Sequence, residues 1–375
     1  MIRKFITLFL LTVFIWLIWS SSGRNTPLPE AMHHISLVEE VNSSDSLPHN
    51  IIGIQPVMDV SDYFMQTTFK DKVRQYLVSV NRKSLIQKNS IIVYPESIGT
   101  WLFLLGEKHN IIEKPSFLEA RKTLVYSNSF DYMLGYVKTS DEKDKELSAI
   151  FRMKAKSMLS AYYETFSDLS METSAYIVAG SIVLPEPRVV DGKIYIKLNG
   201  PLYNASFIFG PDGLVIGQPI LKAFLNESEA QYMTAGNPQD MQVFNLPFGK
   251  TAVMLGTDNM HPESYENLIK DEAEILLSPS FYSSDKKMSD IKPSTDSLKT
   301  LQSTTNRAIS ASSISYDVDK FLSLLESTSV QVALGVSMHG ELWDLNNPSP
   351  PLAIFKGDSL PLTPSDQGAV WSLNF

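Results

Sequence analysis

Short apolar runs, each closed by proline, glycine or a polar residue, recur along this chain and narrow the folds open to it. "IIGIQPVM" from residue 51, "SIIVYPES" from 90, "SAYIVAGSIVL" from 174, "KTAVMLG" from 250 and "VQVALGVSMHGELW" from 330 read as strands. Residues 67–88 carry Phe69, Val73, Tyr76, Leu77, Val80 and Leu85 at mostly helical spacing, so the body opens as strand, helix, strand. Residues 106–171 read as mostly helical, with a charged turn at "TSDEKDKE" (139–146). "GPDG" at 210–213 is a hairpin turn, and "YENLIKDEAEILLSP" is a helix leading into a strand. Residues 282–314, rich in Ser, Thr, Lys and Asp, read as a surface excursion, and "QGAVWSLNF" as a closing edge strand. Strands alternating with helices, with hairpins mixed in, predict an α/β body with one mixed sheet or two sheets.

The first residues follow other rules. "MIRKFITLFLLTVFIWLIWSSSG" sets Arg3 and Lys4 before an unbroken apolar run from Phe5 to Trp19. The run is short against the roughly 20 residues of a full span, and suits a signal-peptide core with Ser20, Ser21 and Ser22 as small residues for cleavage. A signal anchor fits as well, with Trp16 and Trp19 at an interface. The organisation expected is a signal anchor or signal peptide over 1–22, a linker over 23–50 and a folded domain over 51–375. The body then lies on the extracytoplasmic side, membrane-anchored, or secreted after cleavage.

Composition removes several functions. The chain has no cysteine, which excludes disulfides, thiolate metal sites and a cysteine nucleophile. Its formal net charge of -9 offers no basic domain for nucleic acid. None of the six histidines pairs with another at metal-ligand helix spacing, and the adjacent His33 and His34 read as a solvated linker pair. No metal or organic cofactor is called for.

One corner draws attention. In "TAVMLGTDNMHPE" (251–263) an apolar strand breaks at Gly256 into polar Thr257, Asp258, Asn259 and His261. Such a corner is a place to display a reactive side chain, and glycine has none. Three further stretches stand with it in order: "IIVYPES", "NASFIFGPDGLVIGQPILKAFLNESE" and "EAEILLSPS". Taken singly these stretches are unspecific. Glu96 reads as a carboxylate after a strand, Lys222 as a solvated loop lysine, Glu229 as a helix-start carboxylate and Gly256 as a turn residue with positive φ.

Together and in this order they resemble the carbon–nitrogen hydrolase (nitrilase and amidase) superfamily, over roughly residues 51–281 and more weakly to 375. The resemblance implies an α-β-β-α sandwich, here behind an N-terminal hydrophobic membrane segment. It implies a catalytic glutamate at Glu96, a lysine at Lys222 that stabilises developing negative charge, and a second, substrate-positioning glutamate at Glu229. The cysteine that attacks an amide or nitrile carbon falls on Gly256. Covalent catalysis needs an electron pair on a nucleophilic atom, and glycine supplies none. Backbone N–H groups at the corner, Thr257 included, remain as oxyanion or pocket donors. The Thr257 hydroxyl is a poor replacement, since neighbouring side chains leaving a strand point in different directions.

Two functional classes follow. One is a binding or scaffold pseudoenzyme that holds a small amide, nitrile or carboxylate. The other is an active C–N bond hydrolase using a non-cysteine route through Glu96 and Lys222. A third, acyl transfer to a membrane-linked acceptor, would also want the cysteine. The resemblance further implies a homodimer formed through the sandwich face.

Overall fold

The stretch "NIIGIQ" carries apolar side chains on both of its faces, so as a strand it must be covered on both; Asn50–Gln55 is a strand and all six residues are buried. The same holds for Ile91–Val93, Ile275–Ser280 and Val332–Ser337. The computed structural model describes residues 2–29, 34–43, 47–139, 142–281, 318–343 and 350–375. His33 and the stretch 282–314, singled out above, lie outside the described residues.

Two sheets lie face to face. The first orders its strands Ile35–Glu40, Gly368–Asn374, Asn50–Gln55, Ile91–Val93, Tyr176–Pro185, Leu202–Phe209 and Val215–Leu221. The second runs Asp358–Leu360, Leu352–Phe355, Val332–Ser337, Ile275–Ser280, Gly249–Val253 and Val243–Leu246. Each sheet has a parallel centre and antiparallel flanks: 50–55, 91–93 and 176–185 run parallel in one, and 249–253, 275–280 and 332–337 in the other.

Three apolar layers hold the stack. Between the sheets, Ile51, Val93, Ile208 and Trp371 meet Leu255, Leu277 and Leu334. Helices α2 (Gln66–Arg82) and α5 (Lys145–Thr173) cover the first sheet through Val73, Tyr76, Met158 and Phe166. Helices α6 (Glu266–Lys270) and α7 (Val318–Leu325) cover the second, through Leu268, Phe321 and Leu325. The result is the expected α-β-β-α sandwich. Ahead of it stands α1 (Ile2–Ser21), 20 residues long, apolar enough to cross a membrane and with none of its residues buried in the body. Length and composition of this kind suit a signal sequence equally.

Two sequence expectations change. Residues 35–40, expected inside a linker, form a strand parallel to 368–374. The C-terminal strand is therefore interior, paired parallel on one side and antiparallel to 50–55 on the other, rather than an edge. The reason is physical: Ala369, Val370, Trp371 and Leu373 are fully buried, and "ISLVEE" beside them is partly exposed, as an edge strand is. Helices α3 (Phe117–Ser127) and α4 (Ser129–Tyr136) precede α5 and complete the helical stretch read from the sequence.

Candidate active site

The central parallel strands of both sheets end at the same place, where an open α/β sheet characteristically offers a crevice. Strand Ile91–Val93 delivers Glu96 three residues after its end. The turn that carries it is pressed against the neighbouring strand. Gly180, with φ +65, makes this possible, because a Cβ there would strike the Pro95 carbonyl and come within 2.6 Å of Ile98 Cγ2. Ser97 N–H then donates to Ser181 Oγ at 2.7 Å, and Gly99 N–H to the Ser181 carbonyl at 2.9 Å. Lys222 follows directly on strand Val215–Leu221, its own N–H bound to the Asn204 carbonyl at 2.9 Å.

The four positions named from sequence are in one place. Lys222 Nζ lies 2.8 Å from Glu96 Oε1 and 2.7 Å from Glu229 Oε1. Glu96 and Lys222 are sealed from solvent, while Glu229 keeps its side chain partly open. Glu96 has further partners: Asn204 Nδ2 donates to Oε1 at 2.8 Å, and Phe281 N–H to Oε2 at 2.9 Å. Glu229 Oε2 accepts the Asn226 N–H at 2.9 Å, and the Glu229 N–H returns a bond to Asn226 Oδ1 at 2.9 Å. That reciprocal pair opens the short turn Glu229–Gln231, so the helix-start reading of Glu229 holds alongside its contact with Lys222.

Gly256 begins the turn Gly256–Met260 with φ +51, in the left-handed region that favours glycine. It faces Glu96. A Cβ built on Gly256 would sit 3.1 Å from both Glu96 Cδ and Oε1, and closer still to Oε2. The buried carboxylate thus occupies the space that a side chain at 256 would need. Two residues on, Asp258 is buried and fastens this turn to the lysine segment. Its Oδ1 accepts N–H groups of Ala223 at 3.1 Å and Phe224 at 2.8 Å, and its Oδ2 the Ala223 N–H at 3.1 Å.

Thr257 was expected to offer its backbone N–H as a pocket or oxyanion donor and its hydroxyl only as a poor replacement nucleophile. Its hydroxyl is already committed, donating to the Phe224 carbonyl at 2.7 Å. The cavity beside the site, about 280 Å³, is walled by Asn204, Glu229, Phe281 and the rings of Trp101, Phe103 and Tyr232. Neither Thr257, Gly256 nor Lys222 lines it. The ion cluster therefore stands between the cavity and the turn at 256.

Burial governs the protonation here. It raises Glu96, against the pull of the Lys222 charge and with a push from Glu229. Burial lowers Lys222, but Glu229 and Glu96 outweigh it and hold the ammonium charged. Asp258 is pushed up to about 7 by burial, with Lys222 and the Phe224 and Ala223 N–H groups opposing.

Asn204 was not singled out from sequence, although a lone amide in the apolar strand "LYNASFIF" is a signal of its kind. The ring-lined cavity was also missed, because its walls come from segments far apart in the chain.

No family model matches the sequence, and no curated protein matches it. Solved structures do match. A variant of the amidase from Nesterenkonia sp. AN1, with acrylamide added at its active-site cysteine, is 8% identical at a TM-score of 0.51, over 87% of this chain and 93% of that one. A C-to-S variant of the same amidase, described as a member of the nitrilase superfamily, gives 9% at 0.51, over 88% and 92%. A carbon-nitrogen hydrolase from Helicobacter pylori G27 gives 13% at 0.50, over 87% and 88%. The fold is that of the nitrilase superfamily. At these identities the nitrilase-like sandwich is what the chains share, and the chemistry must be argued from the residues present.

Proposed function

We propose that this nitrilase-like protein is a membrane-anchored binding or scaffold pseudoenzyme, with Gly256 standing where an amidase of this fold carries its cysteine. One observation carries the reading: the space at position 256 is filled by the Glu96 carboxylate, which is itself held by Lys222, Asn204 and the Phe281 N–H. A general base must have a lone pair free for the proton it takes. Glu96 Oε1 accepts from both Lys222 and Asn204, and Oε2 accepts the Phe281 N–H and crowds Gly256, whose missing side chain has no proton to give it, so Glu96 and Lys222 serve as a fixed ion pair rather than as base and oxyanion donor.

The cavity supports the binding half of the reading. Trp101 Nε1, Thr100 Oγ1 and Asn204 Oδ1 are buried polar atoms without a partner, and all three residues line it. Unpaired buried donors and acceptors each cost about 1–3 kcal/mol, which a ligand presenting both an acceptor and an N–H would recover. A small primary amide has that pattern, and the aromatic walls suit an apolar substituent on it. The test is calorimetry on the full-length protein with primary amides, nitriles and carboxylates. Amide binding that weakens in Trp101→Phe, with no release of ammonia, is the expected result. Absence of binding across the panel would remove the ligand role.

The second reading, a hydrolase in which Glu96 activates water directly, is favoured by the retained grouping of Glu96, Lys222 and Glu229. It requires a water to reach the remaining lone pair of Glu96 Oε2, beside the closed turn at Gly256.

A further inference from the structure

Helix α4 presents its apolar stripe outward. Phe130, Met133, Leu134 and Val137 fall at i, i+3, i+4 and i+7, the spacing of a core-facing helix. Here the opposite side packs inward: a Cβ on Gly135 would strike the Ala149 carbonyl of α5, and Tyr132 leans on the core. The stripe is left in the open, Phe130 at 64% and Val137 at 78% exposed. Tyr126 and Leu118 of α3 extend it. Outside α1, seven of the fourteen exposed large apolar residues among the described residues lie between 118 and 137. Those elsewhere are scattered, which is ordinary; a contiguous patch is not.

What covers this face is indicated by α1. Its last turns dock on the end of α3: Trp16 Nε1 donates to the Tyr126 carbonyl at 3.0 Å, and Ser20 Oγ to the Ser127 carbonyl at 2.7 Å. Lys108 Nζ fixes the helix end, reaching the Trp19 carbonyl at 2.5 Å and the Ser22 carbonyl at 2.6 Å, with its charge 4.6 Å from the Trp19 ring. Arg24 pairs with Glu107 at 3.6 Å. The 14 residues from Ile15 back to Ile2 project about 21 Å beyond that contact at 1.5 Å per residue. With α1 in a bilayer, the level of Trp16 to Ser20 is the near interface. Helix α4 begins at Ser129, two residues past the Ser127 carbonyl that holds Ser20, and Trp16, Trp19, Tyr126 and Tyr136 are the side chains an interface favours.

We propose that α3 and α4 form a second membrane contact, resting in the bilayer interface beside α1 and setting the body at a fixed orientation. Leu118 belongs to this face and also lines the cavity, so the cavity rim lies at the membrane edge, open to amphiphilic ligands. The inference rests on α1 being the anchor proposed above.

Because the chain has no cysteine, single thiols report cleanly. Full-length protein in phosphatidylcholine–phosphatidylglycerol vesicles would carry an environment-sensitive fluorophore at Phe9→Cys, Phe130→Cys, Val137→Cys or Ile269→Cys. Ile269 is an exposed apolar residue of α6, on the opposite layer. The expected result is several-fold stronger quenching by nitroxide lipids than by aqueous iodide at 9, 130 and 137, and the reverse at 269. If 9 is quenched by lipid while 130 and 137 behave like 269, the second contact is wrong and the anchor stands. If 9 also behaves like 269, the anchor reading falls and takes the contact with it. Protection of 130 and 137 from both quenchers would mean a protein, such as a second copy of the chain, covers the face, and would overturn the proposal.

Discussion

Replacing Gly256 with alanine adds one carbon to a position that has no room for it. Two costs follow. The residue sits at φ +51, and a non-glycine residue in the left-handed region loses roughly 1–2 kcal/mol. The new Cβ also lies 3.1 Å from Glu96 Cδ and closer to Oε2, and relieving such overpacking costs about 1–3 kcal/mol. The carboxylate cannot easily move, since Lys222, Asn204 and the Phe281 N–H hold it. The sum is about 2–5 kcal/mol, read from denaturant unfolding of the full-length protein in detergent. A double-mutant cycle isolates the second cost. Glu96→Asp withdraws the carboxylate by about 1.5 Å, one C–C bond, and in that background Gly256→Ala should cost only the backbone term. Equal costs in the two backgrounds, or a loss below about 0.5 kcal/mol in the first, would refute the claim that Glu96 closes the turn.

Three other outcomes follow from the same geometry. Lys222→Met leaves Glu96 buried without its cation and should cost about 3–5 kcal/mol where Glu96 is ionised. Because burial already raises Glu96 and Lys222 opposes that rise, the loss should be larger at pH 8 than at pH 5; an identical loss at both would contradict the pairing. Asp258, raised from 3.8 to about 7 by burial, binds its proton more tightly folded than unfolded. Its contribution is therefore greatest below the unfolded value and is lost as pH rises through the folded one. Asp258→Asn should flatten the fall in thermal midpoint between pH 5 and 7.5, and parallel curves would show that Asp258 does not titrate there.

The layered fold could be read from sequence because its strands are uniformly apolar and end at marked corners. Glu96, Lys222, Glu229 and Gly256 were each unremarkable locally, yet all four converge as their order suggested. The edge pairing of 35–40 with 368–374 was hidden, since it joins opposite ends of the chain through a strand that is only half-buried. The stripe at 130, 133, 134 and 137 lies in a stretch read only as mostly helical, and periodicity marks an apolar face without saying what covers it. Most consequential was the sealing of position 256 by Glu96, which is a matter of about an ångström in where the carboxylate lies and has no signature in spacing.

The most direct test of the central claim is ammonia release from a panel of amides and nitriles by the purified full-length protein. The account predicts no release above a protein-free blank. Turnover by the native chain that vanishes in Glu96→Gln and in Lys222→Ala would contradict it.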